Sequence, residues 1–161
     1  MTTVRDPSAW IVTAVGPVDR STWRELYRGY GSFYEVDMPP EKLDLIWSWL
    51  HDPDEPLWGL VVRADVAAAA VGLVHYRPFH RPLHGSIGCY LDDLFVAPSA
   101  RGSGAVDALL GALQRIAGEN CWDVVRWVTR SSNARARSTY HRLATETDLV
   151  TYDLAPLRPG S

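Results

Sequence analysis

The sequence predicts a single α/β domain, residues 1–161, in which helices cover a mixed β-sheet. Short β-branched apolar runs and helix-like segments follow one another in the order strand, two helices, three strands, helix, strand, helix, strand. A length of 161 residues suits one domain with its own core, and no repeat or linker divides it. Because apolar residues make up 47% of the chain, wholesale disorder is excluded.

The first third of the chain predicts a strand and two helices. The apolar run WIVTAV ends at a Gly-Pro pair, which is typical of a short strand. The next segment has apolar residues at helical spacing and is expected to break at Gly29 and Gly31 into an aromatic loop. A second helix begins at a pair of prolines and carries its apolar face from Leu43 to Leu50.

The rest of the chain predicts a hairpin, followed by strands that alternate with helices. LWGLVVRAD and VAAAAVGLVHYRP predict a hairpin with a turn near Asp65, and RPFHRPLHGS predicts a loop. The remaining elements are a fourth strand in IGCYLDDLFV, a helix from about Gly104 to Gly118, a fifth strand in WDVVRWVTR, a helix in SSNARARSTYHRLA and a last strand in DLVTYDL.

Charge and hydropathy exclude several classes of protein. A formal net charge of -3 and a pI near 5.9 argue against a general nucleic-acid binder, which would show a basic excess. No run reaches the length of a membrane span, and MTTVRDPSAW lacks the apolar core of a signal peptide. We therefore expect a cytoplasmic protein with neither a membrane nor a nucleic acid as its partner.

The cysteines and histidines do not predict a metal site. Cys89 and Cys121 have no metal-ligand spacing, and we expect both to fill the core. Four of the five histidines are candidates, but they match no zinc pattern and are expected at the surface: His75, His80, His84 and His141.

The turn Arg101–Ala105 is the most informative stretch for function. It joins a predicted strand to a predicted helix, and its glycines allow the backbone to approach a ligand closely. The helix dipole, the N–H groups of the first helical turn and the charge of Arg101 would all attract phosphate oxygens. The turn predicts a pyrophosphate site, and the alternative is a tight turn that holds no ligand.

Two well-known phosphate loops do not match this turn. A P-loop requires Gly-Lys-Ser/Thr at the start of its helix, whereas Gly104 is followed by Ala105 and Val106. The dinucleotide fingerprint requires a third glycine at position 107, where Asp107 would repel a pyrophosphate.

A third pattern does match. The turn from Arg101 to Val106 resembles the R-x-x-G-x-G/A signature of the GNAT superfamily of acetyl-CoA-dependent N-acetyltransferases, with valine where the family has Gly or Ala. Farther along, Asn133, Ala136 and Tyr140 match the N-x-x-A-x-x-x-Y helix of that family. CYLDDLFVAPSARGSG is also similar to the corresponding strand and turn of the spermidine/spermine branch.

The resemblance implies a fold and a cosubstrate. It implies a central mixed sheet of about six to seven strands and four helices, with a splayed, V-shaped cleft between the fourth and fifth strands. Acetyl-CoA would bind there, with its pantetheine arm along the fourth strand. The implied contacts to the cosubstrate are Leu94, Phe95, Val96, Arg101, Gly102, Ser103, Gly104, Ala105, Val106, Asn133 and Ala136.

The resemblance also implies catalytic residues. Tyr140 would protonate the departing thiolate, since a phenol remains protonated at neutral pH; the alternative is an aromatic side chain packed on the core. Asp92 would help remove the proton of the substrate ammonium, directly or through water. Because adjacent residues of a strand point to opposite faces, only one aspartate is expected in the cleft. The alternative for either aspartate is that it caps a backbone or pairs with an arginine, and for Asp93 this is the expectation. The expected substrate contacts are Tyr27, Tyr34, Glu35 and Asp92. Glu35, with Asp37, would add negative potential for a cationic substrate, and the alternative is that both are solvated.

The predicted function is transfer of an acetyl group from acetyl-CoA to a primary amine, by direct attack in a ternary complex and without a metal. A polyamine or diamine is the first candidate, and an aminoglycoside, an amino acid or a protein lysine remains open. The alternative of another class is a non-catalytic acyl-CoA-binding module. The resemblance further implies a homodimer.

Overall fold

The structure, a computed structural model, describes residues 10–158. It divides into two compact units, a larger one that ends at Val128 and a smaller one that begins at Thr129. The larger unit contains the sheet and three helices, and the smaller unit contains the last helix. None of the helices in the described range is long and apolar enough to cross a bilayer.

The sheet of the larger unit has five strands, in the spatial order of the chain. The first four pair antiparallel and the fifth pairs parallel to the fourth, so the sheet is mixed as predicted. The strands are β1 (Ile11–Ala14), β2 (Trp58–Arg63), β3 (Gly72–Arg81), β4 (Ser86–Val96) and β5 (Val125–Arg126).

The prediction of six to seven strands is too high for the described residues. The segment DLVTYDL, expected as the last strand, forms no ladder there, and the side chains of Leu149, Val150, Tyr152 and Leu154 are exposed. A β-branched, alternating sequence becomes a strand only where a partner supplies the ladder hydrogen bonds.

The described residues form four α-helices, as predicted. They are α1 (Arg20–Phe33), α2 (Pro40–Trp49) and α3 (Ala105–Glu119) in the larger unit and α4 (Ala134–Leu143) in the smaller unit. Three consecutive residues of β2, Leu60, Val61 and Val62, are buried. Since neighbours in a strand point to opposite faces, both faces of the sheet are covered. The core cluster on one of them joins α1 and α2 to the sheet through Trp23, Leu26, Leu43, Ile46, Leu50, Val61, Leu73 and Phe95.

Helix α1 does not break at its glycines, contrary to the prediction. It continues through both of them to Phe33. The space that each glycine leaves is filled by another segment of the chain, and this tertiary packing stabilises the helix there. A Cβ at Gly29 would lie 2.9 Å from the ring of Phe95. A Cβ at Gly31 would overlap the side chain of Met38 and lie 2.9 Å from the carbonyl oxygen of Val36.

We expect Gly31→Ala to destabilise the protein by about 1–3 kcal/mol, because the added methyl overpacks a site that includes backbone. Gly118→Ala is the matched control: it lies near the end of α3 with nothing within 4 Å of its Cβ position. There the better helix propensity of alanine should stabilise by up to about 1 kcal/mol. Urea unfolding of both variants measures the difference, and a Gly31→Ala protein as stable as the wild type would contradict this packing.

The β3–β4 hairpin is longer than predicted, and the alanine run lies outside it. RPFHRPLHGS, expected as a loop, continues β3 as far as Arg81, where Phe79 packs edge-on against Tyr90 of β4 with ring centroids 5.7 Å apart. The run VAAAAVG, expected as a strand, lies almost entirely in the preceding turn, in which the Asp65 carboxylate accepts a hydrogen bond from the backbone N–H of Ala67 at 2.9 Å. Packing against β4 extends β3 through polar residues. The turn made by Asp65 keeps the alanines out of β3.

Candidate active site

The turn that follows β4 has the backbone that its glycines predict. Gly102 has φ = 73° and Gly104 has φ = 89°, both in the left-handed region, and Gly104 is the N-cap of α3. Two side chains brace the turn: the Trp10 indole N–H donates to the carbonyl of Ser103 at 2.8 Å, and the Ser103 hydroxyl donates to the carbonyl of Ala100. The turn is therefore held in one shape.

This turn suits an anion. The first backbone N–H groups of a helix have no partner within it, and here they follow two glycines whose missing side chains leave the approach open. Arg101 stands at the entry, where its Nε donates to the Val96 carbonyl at 3.4 Å and its guanidinium lies 5.9 Å from the Phe95 ring. Ala105 is buried in the first turn of α3, and Val106 is half-buried.

One edge of β4 is paired only near its start. β5 pairs with Cys89 and Tyr90, whereas β4 continues to Val96. In the part of β4 beyond Tyr90, Phe95 and Val96 are buried and Leu94 is half-buried. Backbone groups at an unpaired strand edge can hydrogen-bond an extended ligand.

A β-bulge places two carboxylates on the same side of β4. His75 pairs with Asp93 and Tyr76 pairs with Leu91, so Asp92 is an extra residue without a partner in the ladder. A bulge turns the extra side chain away from strict alternation. As a result Asp92 and Asp93 both line one cleft, and the expectation that only one of them would do so is wrong.

The cleft lies between α1, α2 and the bulged strand and has a volume of about 450 Å³. Three carboxylates and one guanidinium contribute to its wall, together with an apolar side made by α2 and the segment after it. The lining residues are Tyr27, Ile46, Trp49, Glu55, Pro56, Leu57, His75, Arg77, Asp92 and Asp93.

Asp93 is held by hydrogen bonds from the core. Its Oδ2 accepts from the Tyr27 hydroxyl at 2.9 Å and from Nδ1 of His75 at 2.8 Å. The Nε2 of His75 in turn accepts from the indole N–H of Trp23 at 2.9 Å. His75 and Trp23 are 1% and 0% exposed, so water does not compete for these bonds.

The ionisation of this group follows from its partners. Burial alone would raise the pKa of Asp93, but the hydrogen bonds from His75 and from the hydroxyls of Tyr27 and Tyr30 outweigh it and lower the pKa. Burial, followed by the negative charge of Asp93, raises the pKa of Tyr27 and of Tyr30 well above the usual range. Asp93 is thus an anion beside two neutral phenols.

Asp92 has different surroundings. Nε of Arg77 donates to both of its oxygens, at 3.0 and 3.3 Å, so the arginine pairing considered for either aspartate is made by Asp92. Asp93, for which the sequence predicts a backbone cap or an arginine partner, pairs with His75 and Tyr27. Arg77 also stacks over the ring of Tyr90 at 4.8 Å. Burial raises the pKa of Asp92, and the charge of Arg77 offsets only part of that rise. Of the two aspartates, Asp92 is the one that can accept a proton more readily.

Not all predicted substrate contacts reach the cleft. Tyr27 and Asp92 line it, whereas Tyr34 and Glu35 are not among its lining residues. Tyr34 follows the end of α1, where its ring packs against Tyr30 with centroids 4.9 Å apart. Glu35 is exposed and has φ = 58°.

Sequence reasoning missed His75. The sequence predicts this histidine at the surface, yet it is among the most buried polar side chains of the larger unit and it lines the cleft. Its position within the apolar run from Leu73 to Tyr76 was the signal that could have found it. The prediction for Cys121 is wrong in the opposite direction. Cys121 is exposed and has φ = 56°, whereas Cys89 is buried in the core as predicted.

The smaller unit contains the second predicted motif. Asn133 is the N-cap of α4, and its Oδ1 accepts from the backbone N–H of Ala136 at 3.3 Å. This cap explains an asparagine at the start of the helix. Tyr140 is half-buried on α4, one turn before the helix ends at Leu143. Among residues 10–158, no group of three or more His, Cys, Asp or Glu side chains could hold a metal ion.

Comparison with known proteins defines the class to which this fold and turn belong. The model of the acetyltransferase (GNAT) family matches residues 23–144, and the chain belongs to that family. It is an acetyl-CoA-dependent N-acetyltransferase.

Individual relatives differ in their acceptors. The chain is 32% identical over 142 residues to the D-amino-acid N-acetyltransferase of Saccharomyces cerevisiae, with 88% of each chain covered. Many solved structures share the fold, two named acetyltransferases among them. The ribosomal-protein-alanine N-acetyltransferase of Brucella melitensis has a TM-score of 0.76 at 21% identity, covering 91% of this chain and 99% of its own. AAC(6')-Iy in complex with the bisubstrate analogue CoA-S-monomethyl-acetylneamine has a TM-score of 0.75 at 19% identity, covering 92% and 99%.

Proposed function

We propose that this acetyltransferase acts on a small primary amine that binds as a cation in the acidic cleft, with a polyamine or diamine as the first candidate. The observation that carries the proposal is the bulge in β4, which brings Asp92 and Asp93 into one cleft with Glu55. Three carboxylates against the single guanidinium of Arg77 make this cleft attractive to an ammonium group. The similarity of CYLDDLFVAPSARGSG to the spermidine/spermine branch supports the same substrate class.

Acetyl-CoA supplies the activated acetyl group. In our proposal the turn from Arg101 to Gly104 binds its pyrophosphate and the unpaired edge of β4, from Leu94 to Val96, binds its pantetheine arm. The braced glycine turn fits such a ligand, because both positive φ angles leave backbone N–H groups accessible at the start of α3. Asn133 would add a side-chain contact. The single domain predicted for the whole chain is supported by the family match, which extends across the boundary between the two units.

The proton steps are divided between two residues. Asp92 removes a proton from the ammonium group, directly or through water, because its raised pKa makes it the stronger base of the aspartate pair. The neutral amine then attacks the thioester directly, with no covalent enzyme intermediate. As the C–S bond breaks, Tyr140 gives a proton to the departing thiolate, and the second proton of the attacking nitrogen returns to Tyr140, directly or through water. The homodimer and the cytoplasmic location stay predictions.

The first test is release of free thiol from acetyl-CoA across a panel of polyamines, diamines, aminoglycosides, amino acids and lysine peptides. Turnover with polyamines or diamines at the lowest KM supports the proposal. A lower KM for an amine of another class would overturn it.

An amino acid is the second candidate. Arg77 lines the cleft beside the aspartates and could pair with a substrate carboxylate, and the yeast relative is a D-amino-acid N-acetyltransferase. Arg77→Gln separates the two candidates. It should raise the KM of an amino acid, whereas the KM of a diamine should fall or stay unchanged because a positive charge has left the cleft.

We expect Asp92→Asn to lower kcat/KM for the preferred amine by about 10²- to 10⁴-fold, the usual contribution of a general base. The amide cannot accept the proton but keeps a similar shape. The raised pKa of Asp92 predicts that wild-type kcat/KM rises as the pH increases through that pKa, because the basic form is the carboxylate. The pH profile of the variant should lack this rise. A profile identical to that of the wild type would exclude Asp92 as the base.

A further inference from the structure

We propose that Trp23 and His75 are positioning residues that hold Asp93 as the anchor for the ammonium group of the substrate, leaving Asp92 to take the proton. This inference rests on the proposed function, because it assigns a role within the same cleft. Of the two adjacent carboxylates, Asp93 would bind the substrate and Asp92 would accept the proton.

The first step concerns the proton on His75. An indole N–H can only donate, so the Nε2 that faces Trp23 at 2.9 Å must be the unprotonated, accepting nitrogen of the ring. The neutral ring then carries its proton on Nδ1, which faces Oδ2 of Asp93 at 2.8 Å. Trp23 therefore fixes the tautomer of His75, and the tautomer makes His75 a donor to Asp93.

The second step concerns the carboxylate. Both hydrogen bonds, from His75 and from Tyr27, end on Oδ2 of Asp93, and 19% of its side chain remains exposed. That exposed part lines the cleft. An anion fixed by two donors from the core presents the rest of its carboxylate in one orientation, which is the geometry that orients a cation for attack.

The third step compares the two aspartates. Asp92 is paired with Arg77, whose side chain is 42% exposed, and it occupies the extra position of the bulge. Asp93 is paired with His75, which is 1% exposed, and with the half-buried Tyr27. The rigid carboxylate is suited to binding, and the carboxylate on the bulge is suited to exchanging a proton with substrate or water.

A purely structural role is the alternative, since a buried histidine in a core often does no more than satisfy its neighbours. Two substitutions at position 75 separate the roles. The amide nitrogen of His75→Asn lies near the place of Nδ1 and can still donate to Asp93. The amide of His75→Gln reaches the place of Nε2, where it can accept from Trp23 but leaves Asp93 without its donor.

We expect His75→Gln to raise the KM of the preferred amine by about ten- to a hundredfold, the effect of losing one charge-assisted hydrogen bond. His75→Asn should stay within a few fold of the wild type, and the KM of acetyl-CoA should be unchanged in both. Urea unfolding of each variant measures its loss of stability, so that a change in KM can be distinguished from partial unfolding. An equal KM for the amine in the two variants, whether normal or raised, would overturn the proposal.

Nuclear magnetic resonance gives a readout that does not need turnover. ¹⁵N spectra of the wild-type rings, assigned by the signal lost in His75→Asn, should show His75 as the Nδ1–H tautomer, and Trp23→Phe should release that preference. Spermidine or the best amine of the panel should shift the Nδ1–H resonance. If no amine releases thiol, the proposed function fails, yet the tautomer and the shift still decide the role of His75. A proton found on Nε2 in the wild type, or no shift with any amine, would contradict it.

Discussion

Replacing Tyr140 by phenylalanine is expected to lower kcat by about 10²- to 10⁴-fold, the range over which a positioned general acid accelerates a reaction. The family resemblance assigns this phenol the task of protonating the thiolate that leaves acetyl-CoA. Phenylalanine keeps the aromatic ring on α4 and removes only the hydroxyl, so the fold and the KM of acetyl-CoA should change little. Steady-state thiol release measures the effect.

Tyr152→Phe provides a matched control. It makes the same chemical change in the same unit, at a side chain that is 89% exposed, and should leave kcat at the wild-type value. Unchanged kcat in Tyr140→Phe would leave the ring with a packing role alone. Equal losses in both variants would point to a general effect of removing a hydroxyl from the smaller unit.

The second large effect is expected at the glycine turn. Gly102→Ala should weaken acetyl-CoA binding by about ten- to a hundredfold, because a methyl group at the proposed pyrophosphate site would displace at least one charge-assisted hydrogen bond. Isothermal titration with CoA measures the dissociation constant directly. The amine is not required, so the result does not depend on the acceptor.

Gly85→Ala separates this effect from backbone strain. Gly85 and Gly102 have φ values of 60° and 73°, and a Cβ at either position meets nothing within 4 Å. Alanine should therefore cost both sites a similar stability, about 1–2 kcal/mol from the left-handed conformation. Only the Gly102 variant should lose affinity for CoA. If both variants bound CoA as the wild type does, the pyrophosphate site would have to lie elsewhere.

The helices were the most predictable part of the fold. Apolar spacing, a proline pair before α2 and a glycine before α3 are signals within one contiguous segment, and all four helices form. The exception within α1 is informative. From the local sequence its two glycines predict a break in the helix. Phe95 and Met38 pack into the space that the glycines leave, and the helix continues.

The strands were less predictable, because each depends on a partner. Phe79 and its polar neighbours became part of β3 through pairing with β4, although their composition resembles a loop. The segment DLVTYDL has the composition of a strand but forms no ladder within the described part of the chain. Composition alone could not distinguish these two cases, since the ladder hydrogen bonds come from residues distant in sequence.

The sequence by itself determined the order of the main elements, the glycine turn and the two motifs of the acetyltransferase family, since each of these is a pattern of neighbouring residues. Only the tertiary structure decided how the cleft is built. The hydrogen bonds that join Trp23, His75, Asp93 and Tyr27 link positions 18 to 66 residues apart, and the bulge that admits Asp92 exists only between paired strands. Strand register and burial are set by long-range packing, which is why adjacent aspartates that alternation would separate line one cleft.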